Sequence, residues 1–188
     1  ILLAGTMAIL SHGDENLDTN EMGMLAAFDP TAKGELGKQH IKWAVKGFVG
    51  GYSSAVIDGD RIYQADNSAT LHAFDLQTGR QLWKHSLGTI QKASVLLADG
   101  KIYAGTESGK FFVLRPHADR VEVLSEVELP ISQEGLFTQK VPEPVVASAS
   151  AARGRVYFGS SDTLYAIGPK KTAAQPWKPA APAREPGP

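Results

Sequence analysis

Gly59-Asp60-Arg61-Ile62-Tyr63, then Leu71-His72-Ala73-Phe74-Asp75, then Thr78-Gly79-Arg80-Gln81-Leu82-Trp83, is the most complete copy of a pattern that returns along the chain. Tyr63 is echoed 40 residues later by Tyr103, Trp83 is echoed 40 residues earlier by Trp43, and Ala73-Phe74-Asp75 by Ala27-Phe28-Asp29. A fixed period of that size marks a propeller or a repeat array, so it decides architecture before any single residue is weighed.

Around this copy, each segment reads as a short strand closed by a turn. Ser53 to Ile57 is a small-residue and apolar run ending in Asp58-Gly59-Asp60; Arg61 to Ala65 alternates polar and apolar side chains, as a half-buried strand does. Asn67-Ser68-Ala69 turns the chain into Leu71 to Asp75, and Gln77-Thr78-Gly79 turns it again into Gln81 to His85. Four short antiparallel strands in one period make a propeller blade. No stretch here sustains a 3.6-residue apolar period, which excludes helices.

Outward from this unit the pattern weakens by degrees. The next copy runs through Asp99-Gly100-Lys101-Ile102-Tyr103 and Phe111-Phe112-Val113-Leu114, with Arg115 at the place of Asp75 and Val123 at that of Trp83. The last restarts at Gly154-Arg155-Val156-Tyr157, continues through Leu164-Tyr165-Ala166-Ile167, and stops at Gly168-Pro169 without a fourth strand. The first copy carries insertions at His12 to Met22 and Thr31 to His40 before it reaches Trp43. The expected fold is all-β: four four-stranded blades over 1–47, 48–88, 89–130 and 145–168, the last incomplete, with a disordered Pro/Ala-rich tail or linker over 169–188. That tail holds six prolines and one anchor candidate, Trp177. Blades bury their faces only against neighbours, so the segment is expected to be the C-terminal half of a ring of about seven or eight blades, with a closed four-blade ring as the alternative.

The totals exclude several functions. The 188 residues carry 19 basic and 20 acidic side chains without blocks, leaving no electrostatic footprint for nucleic acid or an anionic membrane. Cysteine is absent, which removes disulfides, thiolate metal sites and cysteine nucleophiles. The opening run Ile1 to Leu10 is apolar but too short to span a bilayer, and it lacks the basic leader and cleavage site of a signal peptide.

Tyr63, Ala73-Phe74-Asp75, Thr78-Gly79 and Trp83 together resemble the PQQ-like (quinoprotein-type) β-propeller repeat, a family of pyrroloquinoline-quinone dehydrogenases and non-enzymatic BamB-like propellers. The resemblance covers residues 1 to 168, with Tyr103, Tyr157 and Trp43 as the matching marks of other blades. It implies that Trp43 and Trp83 dock onto the adjacent blade. It also implies a bacterial protein exported to the periplasm or beyond. The mechanics of the motif can be read from its residues: Gly79 suits the positive φ of a short hairpin, and Asp75 can accept bonds from the turn amides after it.

For chemistry, the resemblance implies either a non-enzymatic platform for protein partners or the remaining blades, with no cofactor, or a dehydrogenase with pyrroloquinoline quinone, calcium and a catalytic Asp. No stretch matches the cofactor-site motifs of those enzymes, so no catalytic residue is assigned. The best local constellation is the first insertion, where Asp14, Asn16, Asp18 and Asn20 alternate like an oxygen-ligand calcium loop. Thr19 stands where an EF-hand requires Gly and Leu25 where it requires a bidentate Glu, so the competing expectation is a solvated acidic loop. Ser54, Ser94 and Ser148 recur on the innermost strands, either as hydroxyls lining a channel or as small residues fitting a crowded axis. Gly51-Tyr52-Ser53-Ser54-Ala55 is no nucleophile elbow, and His12, His40, His72, His85 and His117 have no metal-ligand spacing, as befits surface or strand residues.

Overall fold

The structure, a computed structural model, describes residues 1–133 and 140–168; the expectation for the tail 169–188, Trp177 included, lies outside the described residues. Four antiparallel sheets follow one another along the chain, forming a partial β-propeller. The first holds β1 (Leu2–Ala4), β2 (Met7–Glu15), β3 (Met22–Phe28) and β4 (Ile41–Lys46). The second holds β5 (Val56–Asp58), β6 (Arg61–Ala65), β7 (Thr70–Asp75) and β8 (Gln81–Ser86). The third holds β9 (Leu96–Ala98), β10 (Lys101–Gly105), β11 (Lys110–Pro116) and β12 (Val121–Glu128). The fourth has three strands among the described residues: β13 (Ser150–Ala152), β14 (Arg155–Gly159) and β15 (Leu164–Ile167). One 3-10 turn, Lys38–His40, lies in the second insertion just before β4.

The core lies between the sheets. Met7, Ile9, Leu25 and Ala27 of the first blade meet Ile62, Phe74 and Leu76 of the second. Tyr63, Leu71, Ala73 and Trp83 face Ile102, Ala104, Phe112 and Leu114 of the third, and Phe111 meets Val156 and Phe158 of the fourth. Ile62 therefore serves one interface and its neighbour Tyr63 the other. This corrects the half-buried expectation for Arg61 to Ala65: a strand in a middle blade is covered on both faces, so four of its five residues are buried.

Three further expectations change in detail. His12 to Glu15 continue β2 instead of opening a loop, which shortens the first insertion to the turn after Glu15. The inner strand begins at Val56, later than Ser53, because the Ser53 hydroxyl donates to the Ala65 carbonyl and the Ser54 amide bonds to the next blade. Opposite Val113 stands Ser125, as Trp83 stands opposite Ala73; the β11–β12 hairpin is longer, so counting 40 residues lands two positions early, on Val123.

Candidate functional site

The side chains marked by the repeat connect one blade to the next. Trp43 Nε1 donates to the Leu76 carbonyl of the second blade at 3.1 Å, and Trp83 Nε1 donates to the His117 carbonyl of the third at 3.1 Å. Each indole thus reaches the hairpin joining the two outer strands of its neighbour. In the second blade that hairpin is fixed by Asp75, whose Oδ1 accepts from the Gln77 amide, the Thr78 amide and the Thr78 hydroxyl at 3.1, 2.9 and 2.7 Å. The Thr78 hydroxyl leads in holding the Asp75 carboxyl below its ordinary pKa. Asp29 repeats the device with Thr31 in the first blade.

A second connection runs along the inner strands. The Ser54 amide donates to Ser94 Oγ at 2.8 Å, and the Ser94 amide donates to Ser148 Oγ at 2.9 Å. The three serines form a chain from blade to blade, with the Ser94 and Ser148 hydroxyls each accepting from the blade before. Among the described residues the Ser54 hydroxyl accepts no such bond. The structure therefore gives two of these hydroxyls a bonding role that neither the channel nor the packing expectation contained.

Two buried polar clusters were not anticipated. His72 is in β7, as expected of a strand residue, but it is buried: Nε2 lies 3.0 Å from Asp66 Oδ2 and Nδ1 lies 3.0 Å from Gln81 Oε1. Its ring stacks on Phe74 and meets the edge of Phe48. Burial opposes ionisation of Asp66, yet bonds from His72 and from the Thr70 and Ser68 amides prevail and hold its pKa below the ordinary value. The other cluster surrounds Glu143, a buried carboxylate that accepts from the hydroxyls of Ser160 (2.5 Å), Tyr165 (2.9 Å) and Thr163 (3.2 Å). Burial, followed by the Glu143 bond, pushes the Tyr165 phenol up. Gln64 and Gln91 are also fully buried and donate to the Ser53 and Ala93 carbonyls, the same position in consecutive blades. No periodicity marks these groups, because their partners are distant or unmatched in the repeat.

The calcium-like constellation is dispersed. Asn16 Nδ2 turns inward to the Glu21 and Gly23 carbonyls at 2.6 and 2.9 Å, pinning the β2–β3 turn. Asp18 pairs with Lys46 at 2.8 Å, a bond that lowers its pKa, while Asp14 is exposed. Among the described residues no three potential metal-ligating His, Cys, Asp or Glu side chains come together.

Residues 21–118 match the family model described as outer membrane protein assembly factor BamB. The chain belongs to this PQQ-like, BamB-type propeller family. Among solved structures, BamB from Moraxella catarrhalis aligns with a TM-score of 0.65 at 16% identity, over 87% of this chain and 46% of that one. A europium-containing methanol dehydrogenase aligns with a TM-score of 0.63 at 13% identity, over 89% of this chain and 38% of that one. The chain thus spans less than half the length of either, and at these identities the likeness concerns the fold. No curated protein matches. In this chain the two tryptophans bond to the next blade and Asp75 fixes its own hairpin.

Proposed function

We propose that this chain is part of a non-enzymatic PQQ-like propeller that serves as a protein-binding or assembly platform. The observation that carries this reading is where exposed apolar side chains collect. Antiparallel blades put the blade-to-blade crossovers and the turns between the second and third strands on one face. Bonds from the Asn67, Glu107 and Ser161 amides to the Val49, Ile90 and Pro144 carbonyls tie those two kinds of segment together. On that face Leu17, Tyr52, Ile90 and Val146 are all exposed, the last three on successive crossovers. On the opposite face the tight inner turns present Gly5-Thr6, Gly59-Asp60, Asp99-Gly100 and Arg153-Gly154, and the β3–β4 hairpin exposes Leu36. Apolar and aromatic side chains grouped on one surface are what a protein partner buries.

The match to an assembly-factor family supports the same reading, as does the use of the repeat-marked polar groups for holding blades together. The four blades would then be one portion of a larger ring, in a protein exported to the periplasm or beyond. The test uses the full-length protein with Tyr52, Ile90 and Val146 each changed to Ser. Loss of a co-purifying, cross-linkable partner at unchanged melting temperature is the expected result; retention of the partner contradicts it. Adding pyrroloquinoline quinone and Ca²⁺ to the same protein is expected to produce no bound-quinone absorbance, and its appearance would favour a dehydrogenase instead.

A further inference from the structure

The turn between the two inner strands is comparable in every blade, and the fourth departs from the rest. In the second blade Arg61 lies 3.9 Å from Asp60, and in the third Lys101 lies 2.6 Å from Asp99, so the cation of each turn has an acid beside it. The first carries no charge, being Gly5-Thr6-Met7. The fourth reads Arg153-Gly154-Arg155, two cations without an acid. Among the described residues neither guanidinium has an ion-pair or hydrogen-bond partner.

The backbone sharpens the contrast. Arg153 has φ +52°, the left-handed region, at the place where the third blade has Asp99 at φ +51°. Asp tolerates that conformation through its short polar side chain, whereas a long side chain gains nothing there. Arg155 is placed by a close approach: a Cβ on Gly168 would fall 2.8 Å from Arg155 Cγ, so the bare glycine leaves the arginine stem its path.

Both arginines border a groove of about 540 Å³ between the inner hairpins of the third and fourth blades. Its apolar wall comes from Ala98, Tyr103, Ala151, Val156 and Ile167. Tyr103 is only partly covered where Tyr63 is buried, because Ser125 takes the place from which the Trp83 ring packs on Tyr63. The groove is of ligand-binding size and combines an apolar wall with the two arginines of the fourth blade; Asp99 also lines it on the third-blade side, with its carboxylate paired to Lys101.

We propose that this groove binds an acidic peptide segment, with carboxylates on Arg153 and Arg155 and intervening aliphatic side chains against the wall. Guanidinium forks match carboxylates in two-bond geometry. A nucleic acid would need a wider basic field, which a chain with net charge −1 does not supply. The site lies on the face opposite the apolar crossover surface, so it stands or falls independently of the platform reading.

The test is fluorescence anisotropy on the full chain with a labelled decapeptide of alternating Glu and Leu, its Gln-for-Glu counterpart, and inorganic phosphate as competitor. The Glu peptide is expected to bind at least about tenfold tighter than the Gln peptide and to weaken as salt rises. Arg153→Asn and Arg155→Gln are each expected to lower affinity at least about fivefold, and Gly168→Ala to lower it by moving Arg155. Asn suits the left-handed turn, so Arg153→Asn should melt no lower than the wild type while losing the peptide, a combination that a structural role would not produce. Equal affinity for the two peptides, no binding, or unchanged affinity in the Arg153→Asn/Arg155→Gln double variant overturns the proposal. Displacement of the peptide by equimolar phosphate also overturns it, since the site would then be one for small anions.

Discussion

Trp43 of the first blade rests on Gly79 of the second: a Cβ built on Gly79 would lie 2.7 Å from Trp43 Cδ2. Gly79 also has φ +69°, so one residue answers two demands, the hairpin's and the neighbouring blade's. Gly79→Ala is therefore expected to cost the left-handed penalty of about 1–2 kcal/mol and a further loss from displacing the indole. Gly59→Ala is the control, with φ +57° and nothing within 4 Å of its Cβ, and should cost only the first amount. Denaturant unfolding of both variants measures the difference, which reports the blade-to-blade contact.

Trp83→Phe keeps most of the packing against Tyr63 but deletes the bond to the His117 carbonyl. A loss of about 1 kcal/mol is expected from the bond, against roughly 3–5 kcal/mol for Trp83→Ala, where the buried ring itself is removed. Equal losses for the two substitutions in thermal unfolding would mean that the bond, not the ring, dominates.

The serine chain predicts an asymmetry among three residues that look equivalent in sequence. Ser94→Ala and Ser148→Ala each strip an acceptor from an amide of the preceding blade and should cost about 0.5–1.5 kcal/mol. Ser54→Ala removes a hydroxyl that accepts no amide among the described residues and should be close to neutral. Urea midpoints of the three variants decide it, and a loss at Ser54 matching the others would sink the directional chain.

Asp66 gives the pH dependence a sign. Its carboxyl titrates in the folded protein below the ordinary 3.8, so folding favours the ionised form. The resulting stabilisation is complete above the ordinary carboxylate value and is lost as pH falls through the lowered, folded one. Asp66→Asn should be less stable than the wild type at neutral pH, with the gap closing as the pH drops through that window. A gap that stays constant down the acid limb of a stability profile would show that Asp66 does not titrate as described.

The blade was legible because its determinants are local and repeated. Arg61 to Ala65 read as a strand and is one, since alternation and the flanking Asp-Gly-Asp and Asn-Ser-Ala turns act within a few residues. The docking of Trp43 and Trp83, implied by resemblance, is present on both neighbours. What escaped depends on distant partners. The inner strand of the second blade starts late because Ser54 bonds to Ser94, 40 residues away. The Trp83 equivalent shifted from Val123 to Ser125 because a two-residue difference in hairpin length cannot be read from a fixed offset. His72 gave no signal of burial, since Phe48 and Asp66, which enclose it, come from the crossover and turn. The unpaired arginines of the fourth blade become informative only once the register shows that their turn matches two turns that carry their own acids.

The most direct test of the account is a double-mutant cycle across the first blade boundary, combining Trp43→Phe with Gly79→Ala and following unfolding in denaturant. If blades are held by specific contacts between repeat-marked residues, the two changes share one interaction and their costs fail to add by about 1 kcal/mol. Costs that add within about 0.3–0.5 kcal/mol would contradict it, because the tryptophan and the glycine would then be serving their own blades alone.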